Sequence, residues 1–188
     1  MVFDPREPFF LQWHITDRCN LQCRHCYRAN PCPADLARAQ LDTILDAFLA
    51  FRPRLPQERT RIQIAGGEPF LSPHLYHLLD RIASAGLPAR ILTNGTLIDR
   101  EAARSLKQHR CSIVQISLDG ARAAHEAIRG PSTFDKAIEA AGHLKAEKIQ
   151  LTFSMTLSRQ NLADVPAVVE LAQQHADPVG FHRLVPCG

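Results

Sequence analysis

The chain has 188 residues, enough for one domain with a sizeable core, and its hydrophobic content of 45% and charged content of 22% are those of an ordinary globular protein. A net charge of +3, with no run of like charges, argues against nucleic acid as a partner. No uncharged apolar run approaches the roughly 20 residues that cross a bilayer, and the first residues carry Asp4, Arg6 and Glu7 in place of a signal peptide's apolar stretch, so a cytoplasmic protein with no membrane partner is expected.

Residues 1–8 read as a polar lead-in and 9–16 as a first strand. Residues 17–33 form a loop with three closely spaced cysteines, Cys19, Cys23 and Cys26, and it ends in Asn30-Pro31-Cys32-Pro33. A helix is expected over 34–51, with Leu41, Ile44, Leu45 and Phe48 inward at i, i+3, i+4, i+7 and Pro53 and Pro56 ending it. Residues 61–65 form a second strand running into Gly66-Gly67-Glu68-Pro69. Ser72 and Pro73 have the residue types of an N-cap and first helical position. Leu75, Leu78, Leu79 and Ile82 line that helix's buried face, and Gly86 closes it.

Residues 89–93 are a third strand followed by Asn94-Gly95, and Asp99 caps a further helix. Residues 111–118 are a fourth strand ending in Asp119-Gly120. The run Ser132-Thr133-Phe134-Asp135 has capping-box spacing and opens a helix carrying Ile138, Ala141 and Leu144. A fifth strand spans 149–157. A fifth helix spans 161–176, with Leu162, Val165, Val168, Val169 and Ala172 inward. A sixth strand covers 179–185. Strict alternation of strand and helix makes a parallel sheet with helices packed outside it. Six strands fit either an open doubly wound sheet or an incomplete barrel, and periodicity does not choose between them.

Each early strand exit carries an unusual sequence, and in a parallel sheet all exits lie at one edge. Three cysteines spaced C-x3-C-x2-C suit a soft metal centre. A [4Fe–4S] cluster held by three of its usual four cysteines would leave one iron open to a ligand. A zinc site completed by Cys32 or His25, or free thiols, would also fit this spacing. Gly66 and Gly67 allow close backbone approach to a ligand, and Glu68 with neighbouring carbonyls suits an ammonium group. The competing reading is a tight turn stiffened by Pro69. Asn94-Gly95 is also a common turn dipeptide. Ser117 and Asp119 lie two apart on one strand face, where they could bind sugar hydroxyls, though Asp-Gly is itself a turn. Arg129, before Gly130-Pro131, could pair with a carboxylate in the cavity, the competing reading being a solvated surface arginine. The histidines receive no role, and His25 is read as non-ligating.

Taken together, Cys19-x3-Cys23-x2-Cys26-Tyr27, Gly66-Gly67-Glu68-Pro69, Thr93-Asn94-Gly95 and Ser117-Leu118-Asp119-Gly120 resemble the radical S-adenosylmethionine (SAM) superfamily. The resemblance covers essentially the whole chain. It implies an α/β fold, the partial (β/α)6 TIM-like barrel with parallel strands, here without the final helix. It implies a single core domain over 1–188. Cys19, Cys23 and Cys26 would hold a [4Fe–4S] cluster, and SAM would chelate the open iron. The backbone at Tyr27 would meet the adenine, and Gly66, Gly67, Glu68 and Pro69 would take the SAM amino group. Asn94, Ser117, Asp119 and Arg129 would complete SAM binding. Reductive cleavage would then yield a 5′-deoxyadenosyl radical that abstracts hydrogen from substrate, with no catalytic residue beyond the cluster ligands.

The run Trp13-His14-Ile15-Thr16-Asp17-Arg18-Cys19-Asn20-Leu21 and the run from Arg129 to Ile138 are similar to the SPASM-type branch. That likeness implies a peptide or protein substrate and a reductant such as a flavodoxin or ferredoxin. Haem, tetrapyrrole or other small-molecule synthesis is the alternative enzyme reading, and a truncated or inactive cluster- and SAM-binding module the other. The branch usually carries a Cys-rich C-terminal extension with auxiliary clusters. None follows the sixth strand here, and Cys187 would be either its first cysteine or an ordinary buried thiol.

Overall fold

The computed structural model describes residues 8–27, 35–56 and 59–184. Its strands are β1 (Phe9–His14), β2 (Thr60–Ala65), β3 (Ala89–Thr93), β4 (Ile113–Ser117), β5 (Gln150–Leu157) and β6 (Val179–Arg183). They form one sheet in the order β1-β2-β3-β4-β5-β6, every neighbouring pair parallel. The sheet curls into a half-barrel, which decides between the two architectures that periodicity left open. The helices are α1 (Arg38–Phe51), α2 (Leu75–Ser84), α3 (Arg100–Gln108), α4 (Arg122–Arg129), α5 (Thr133–Ala146) and α6 (Val165–His175).

Strand alternation gives the sheet two different faces. Trp13, Ile64, Ile91, Val114 and Leu151 stand in register across five strands and are all buried against the helices. Leu41 and Leu45 of α1, Leu78 and Ile82 of α2, Leu106 of α3 and Leu144 of α5 meet them there, each without exposed surface. Each such side chain stabilises the fold by about 1.5–3 kcal/mol. One residue earlier in each strand the register runs Gln12, Gln63, Arg90, Ile113 and Gln150. That row lies on the opposite, inner face of the half-barrel and is mostly polar.

Several expected details change. Helix α1 shows Leu41, Leu45 and Phe48 inward, but Ile44 is 38% exposed and belongs to its outer side. Ser72 is not the cap of α2. Pro69 opens a 3-10 turn over Pro69–Leu71, the Ser72 hydroxyl accepts from the His74 N–H at 3.3 Å, and α2 starts only at Leu75. Its four expected apolar residues are all buried, and Gly86 follows at φ 69°. Asp99 caps α3 as expected, accepting from the Ala102 N–H at 2.8 Å.

The capping box before α5 does not form. Ser132 is in the left-handed region at φ 60° with no capping bond, and Asp135 instead pairs with Arg122. This sharp reversal separates α5 from α4, a helix the apolar pattern does not reveal. The expected helix over 161–176 begins with a 3-10 turn over Leu162–Asp164, and α6 proper starts at Val165. Leu162 is 61% exposed rather than inward, while Val168 and Ala172 are buried. Strand β6 ends at Arg183. Cys32 and Cys187 fall outside the described residues. Cys111 is an ordinary buried thiol, and burial pushes its pKa up to about 12.

Candidate active site at the strand exits

The loop after β1 is fixed by the exits of its neighbours. The carbonyl of Thr16 accepts from the Gly67 N–H at 2.8 Å, and that of Arg18 from the Glu68 N–H at 2.7 Å. A Cβ on Gly66 would stand 2.6 Å from the Thr16 carbonyl oxygen, so only glycine permits this approach. Arg18 in turn donates to Asp35 and to the Leu71 carbonyl, and Asp35 also accepts from the Thr16 hydroxyl at 2.5 Å.

Glu68 has no exposed surface. Its carboxylate accepts from the Thr93 hydroxyl at 2.7 Å, the Asn94 N–H at 2.9 Å and the Phe70 N–H at 3.3 Å. Burial pushes its pKa up to about 7, against the pull of those three donors. The carboxylate therefore ties the β2 exit to the β3 exit instead of presenting itself to a ligand. Asn94 extends the tie to the cysteine loop: its amide donates to the Asn20 side chain at 2.9 Å, and Asn20 donates to the Thr96 hydroxyl at 2.8 Å. Gly95 takes φ 81° beside Ile116, which the turn requires.

On the other side, the Arg24 N–H donates to the Ile128 carbonyl of α4 at 2.9 Å. Arg129, at the end of α4, is buried. Its Nε donates to Asp119 at 2.5 Å, and its Nη1 lies 3.9 Å from the Cys23 sulfur. Asp119 is fully buried and also accepts from the Thr156 N–H at 2.8 Å. The pairing of Arg129 with a cavity carboxylate is thus present, and the carboxylate is the chain's own Asp119. Ser117 remains only partly covered at the end of β4.

Two further residues complete this network. The His125 ring accepts from the Asp119 N–H at 3.2 Å and has no exposed surface. Burial, with Arg129 alongside, pushes its pKa down to about 4. Asn161, also fully buried, donates to the carbonyls of Asp119 and Thr156 at 2.9 Å each. Neither stands out in the sequence. His125 has no acid at helical spacing, and Asn161 reads there only as a helix start.

Cys19 and Cys26 are exposed and Cys23 is half-buried. Burial raises the Cys23 pKa, and Arg129 opposes that rise. Among the described residues, no three His, Cys, Asp or Glu groups converge closely enough to hold a single metal ion. His25 turns its Nε2 to Asp119 at 3.6 Å. Three thiols within eight residues of one loop, with no carboxylate among them, are a donor set whose chemistry fits a multi-iron cluster. Tyr27 follows the loop, exposed, its hydroxyl 3.1 Å from the His14 Nδ1.

The profile of the radical SAM superfamily matches residues 13–172. Fe-coproporphyrin III synthase of Methanosarcina barkeri is 34% identical over 181 residues, covering 94% of this chain and 44% of that protein. Mycofactocin maturase MftC of Mycobacterium tuberculosis is 32% identical over 188 residues, covering 96% of this chain and 46% of that protein. The chain therefore spans about half the length of the curated relatives it matches. Among solved structures, Streptococcus suis SuiB bound to S-adenosylmethionine superposes with a TM-score of 0.80 at 17% identity, over 95% of this chain and 41% of SuiB. That likeness is one of fold.

Proposed function

Because this chain belongs to the radical SAM superfamily, we propose that its 188 residues form the cofactor-binding core of a cytoplasmic enzyme that modifies a peptide or protein. In this reading Cys19, Cys23 and Cys26 hold a [4Fe–4S] cluster. Reduced by one electron from a flavodoxin- or ferredoxin-type donor, that group supplies the cleavage of S-adenosylmethionine to a 5′-deoxyadenosyl radical that abstracts hydrogen from substrate. The backbone of Gly66 to Pro69 takes the SAM amino group through carbonyls, since the Glu68 carboxylate is engaged with Thr93 and Asn94. Arg129, oriented by Asp119, supplies positive charge beside Cys23. Ser117, Asn94 and the Tyr27 backbone border the remaining space.

One observation carries the reading. The loop holding the three cysteines is hydrogen-bonded to the β2 exit, the β3 exit and the end of α4, so four separate sequence motifs enclose one opening. The peptide substrate draws support from the maturase relative and from SuiB, of which a structure contains the precursor peptide SuiA. The test is anaerobic reconstitution. The protein should take up about four irons and release 5′-deoxyadenosine with dithionite and SAM, and Cys23→Ala should do neither. A Cys23→Ala protein that kept both would overturn the proposal.

A second substrate reading rests on the relative named Fe-coproporphyrin III synthase. It keeps the same site and replaces the peptide by a tetrapyrrole. A saturable absorption change on adding a coproporphyrin, without any response to peptides encoded beside the gene, would favour it.

A further inference from the structure

The inner face of the half-barrel holds two buried polar groups without partners. The Nε of Arg90 and the hydroxyl of Thr152 are buried and make no hydrogen bond. Both belong to the same sheet face. Arg90 donates from Nη1 to the Gln115 side chain at 3.5 Å, and Gln115 stands in register with Thr152 on the next strand. Gln115 therefore lies between them, and only two residues, about 7 Å, before Ser117 at the site edge.

Native proteins rarely leave buried polar groups unpaired, and a cluster of them in one place needs an explanation. Arg90 also has no carboxylate partner among the described residues. Burial pushes its pKa down, and the cation of Arg61 adds to that. A cavity of about 220 Å³ opens beside both arginines. Arg90 as a whole stays partly exposed, and the cavity beside it is bounded by the starts of β2, β3 and β4. The guanidinium already uses Nη1 on Gln115, which leaves the Nε and Nη2 edge. That edge is the side-on fork that receives both oxygens of a carboxylate. Thr152 is 7% exposed and its hydroxyl has a proton to donate to the same anion.

We propose that Arg90, with Thr152, is the subsite that recognises a carboxylate of the substrate inside the half-barrel. The inference deepens the functional reading above and rests on it for the word substrate. The subsite itself is a property of the protein that needs neither cluster nor SAM to be measured. A carboxylate held at this depth would place the rest of the substrate along Gln115 and Ser117 toward the strand exits. Two sources share this chemistry, a peptide C-terminus and an alkyl carboxylate side chain.

The test follows the arginine Nε–H resonance of Arg90 by NMR in the reconstituted, isotope-labelled protein during titration. N-acetylglycine stands for a peptide terminus, propionate for an alkyl carboxylate, propionamide for the neutral control and inorganic phosphate for a competing anion. The expected result is a saturable shift with either carboxylate and none with propionamide. The carboxylate that binds more tightly identifies the source. Arg90→Gln should weaken binding at least about tenfold, and Thr152→Val, which preserves shape, about threefold to tenfold. No saturation in the wild-type protein, an equal response to propionamide, tighter binding of phosphate, or unchanged affinity in a folded Thr152→Val protein would each overturn the subsite. Such a failure is distinct from failure of the cofactor reading, which is decided by iron content and 5′-deoxyadenosine.

Discussion

The strand exits and the inner face of the half-barrel differ in how far they satisfy their buried polar groups, although at the exits the His125 Nε2 also lacks a partner. At the exits, Glu68, Asp119 and Asn161 are all without exposed surface, and each accepts or donates two or more hydrogen bonds within the chain. On the inner face Arg90 and Thr152 keep buried polar atoms with no partner. A fully satisfied network rigidifies its surroundings, whereas an unsatisfied one costs stability until something binds. The difference separates a region built to hold its own geometry from one that is completed by a ligand.

That contrast is broken most severely by removing charge from the exit network. Asp119→Asn would leave the buried Arg129 guanidinium without its counter-charge, and it should destabilise the fold by about 3–5 kcal/mol in chemical denaturation. The cost falls on the same contact that places Arg129 beside Cys23, so the variant's cysteine loop should also exchange its Arg24 amide faster. A loss below about 1 kcal/mol, within the range of a surface pair, would show that the Asp119 pair does not organise the exits.

The next effect is a pH dependence from His125. Its pKa falls to about 4 in the folded chain, from an ordinary value of 6.5. Burial is the main cause and Arg129 adds to it, with Asp119 opposing and His25 contributing weakly. Between those values the unfolded chain takes up a proton that the folded chain refuses. The contribution of His125 to stability is therefore fully present above about pH 6.5 and is lost as the pH falls toward about 4. The loss is about 3 kcal/mol for the whole window. Buried Glu68, raised from 4.5 to about 7, acts with the opposite sign, its share being lost as the pH rises through about 7. The stability difference between the starting protein and His125→Gln should therefore shrink by the His125 share from about pH 6.5 to 4. A difference that does not change with pH would place the acid sensitivity elsewhere. The lowered carboxylates Asp42 and Asp135 act only at lower pH, below their ordinary value of 3.8.

The exits were far more legible in the sequence than the inner face, and the reason is physical. Glycines, cysteines and turn dipeptides mark places where the backbone must bend or approach closely, and such requirements are local. Gly66 is readable because no other residue fits against Thr16. The apolar row from Trp13 to Leu151 is readable because period-2 alternation is a property of each strand alone. Helix α4 is not legible in the sequence because its buried face is made of His125, Ile128 and Arg129 rather than an apolar stripe. Ser132 and Asp135 have the composition of a capping box, but Arg122 claims the aspartate across the bend. His125, Asn161 and Asn20 owe their roles to partners 5 to 76 residues away, which no local pattern encodes. The spacing of Leu162 points it inward, yet the 3-10 turn before α6 leaves it at the surface.

The smallest effect is the most discriminating for the inner face. Arg90→Met keeps an unbranched side chain of similar reach and removes a partly buried cation that faces Arg61. It gives up one long bond to Gln115, at 3.5 Å, and relieves the desolvation of the guanidinium. These terms oppose each other, so stability should stay within about 1 kcal/mol of the starting protein. A rise is the more informative outcome, since a residue that lowers stability where it stands is held there by something other than the fold. A loss above about 2 kcal/mol would mean that Arg90 is a structural member of the sheet, like Asp119 at the exits. The two regions would then no longer differ in kind.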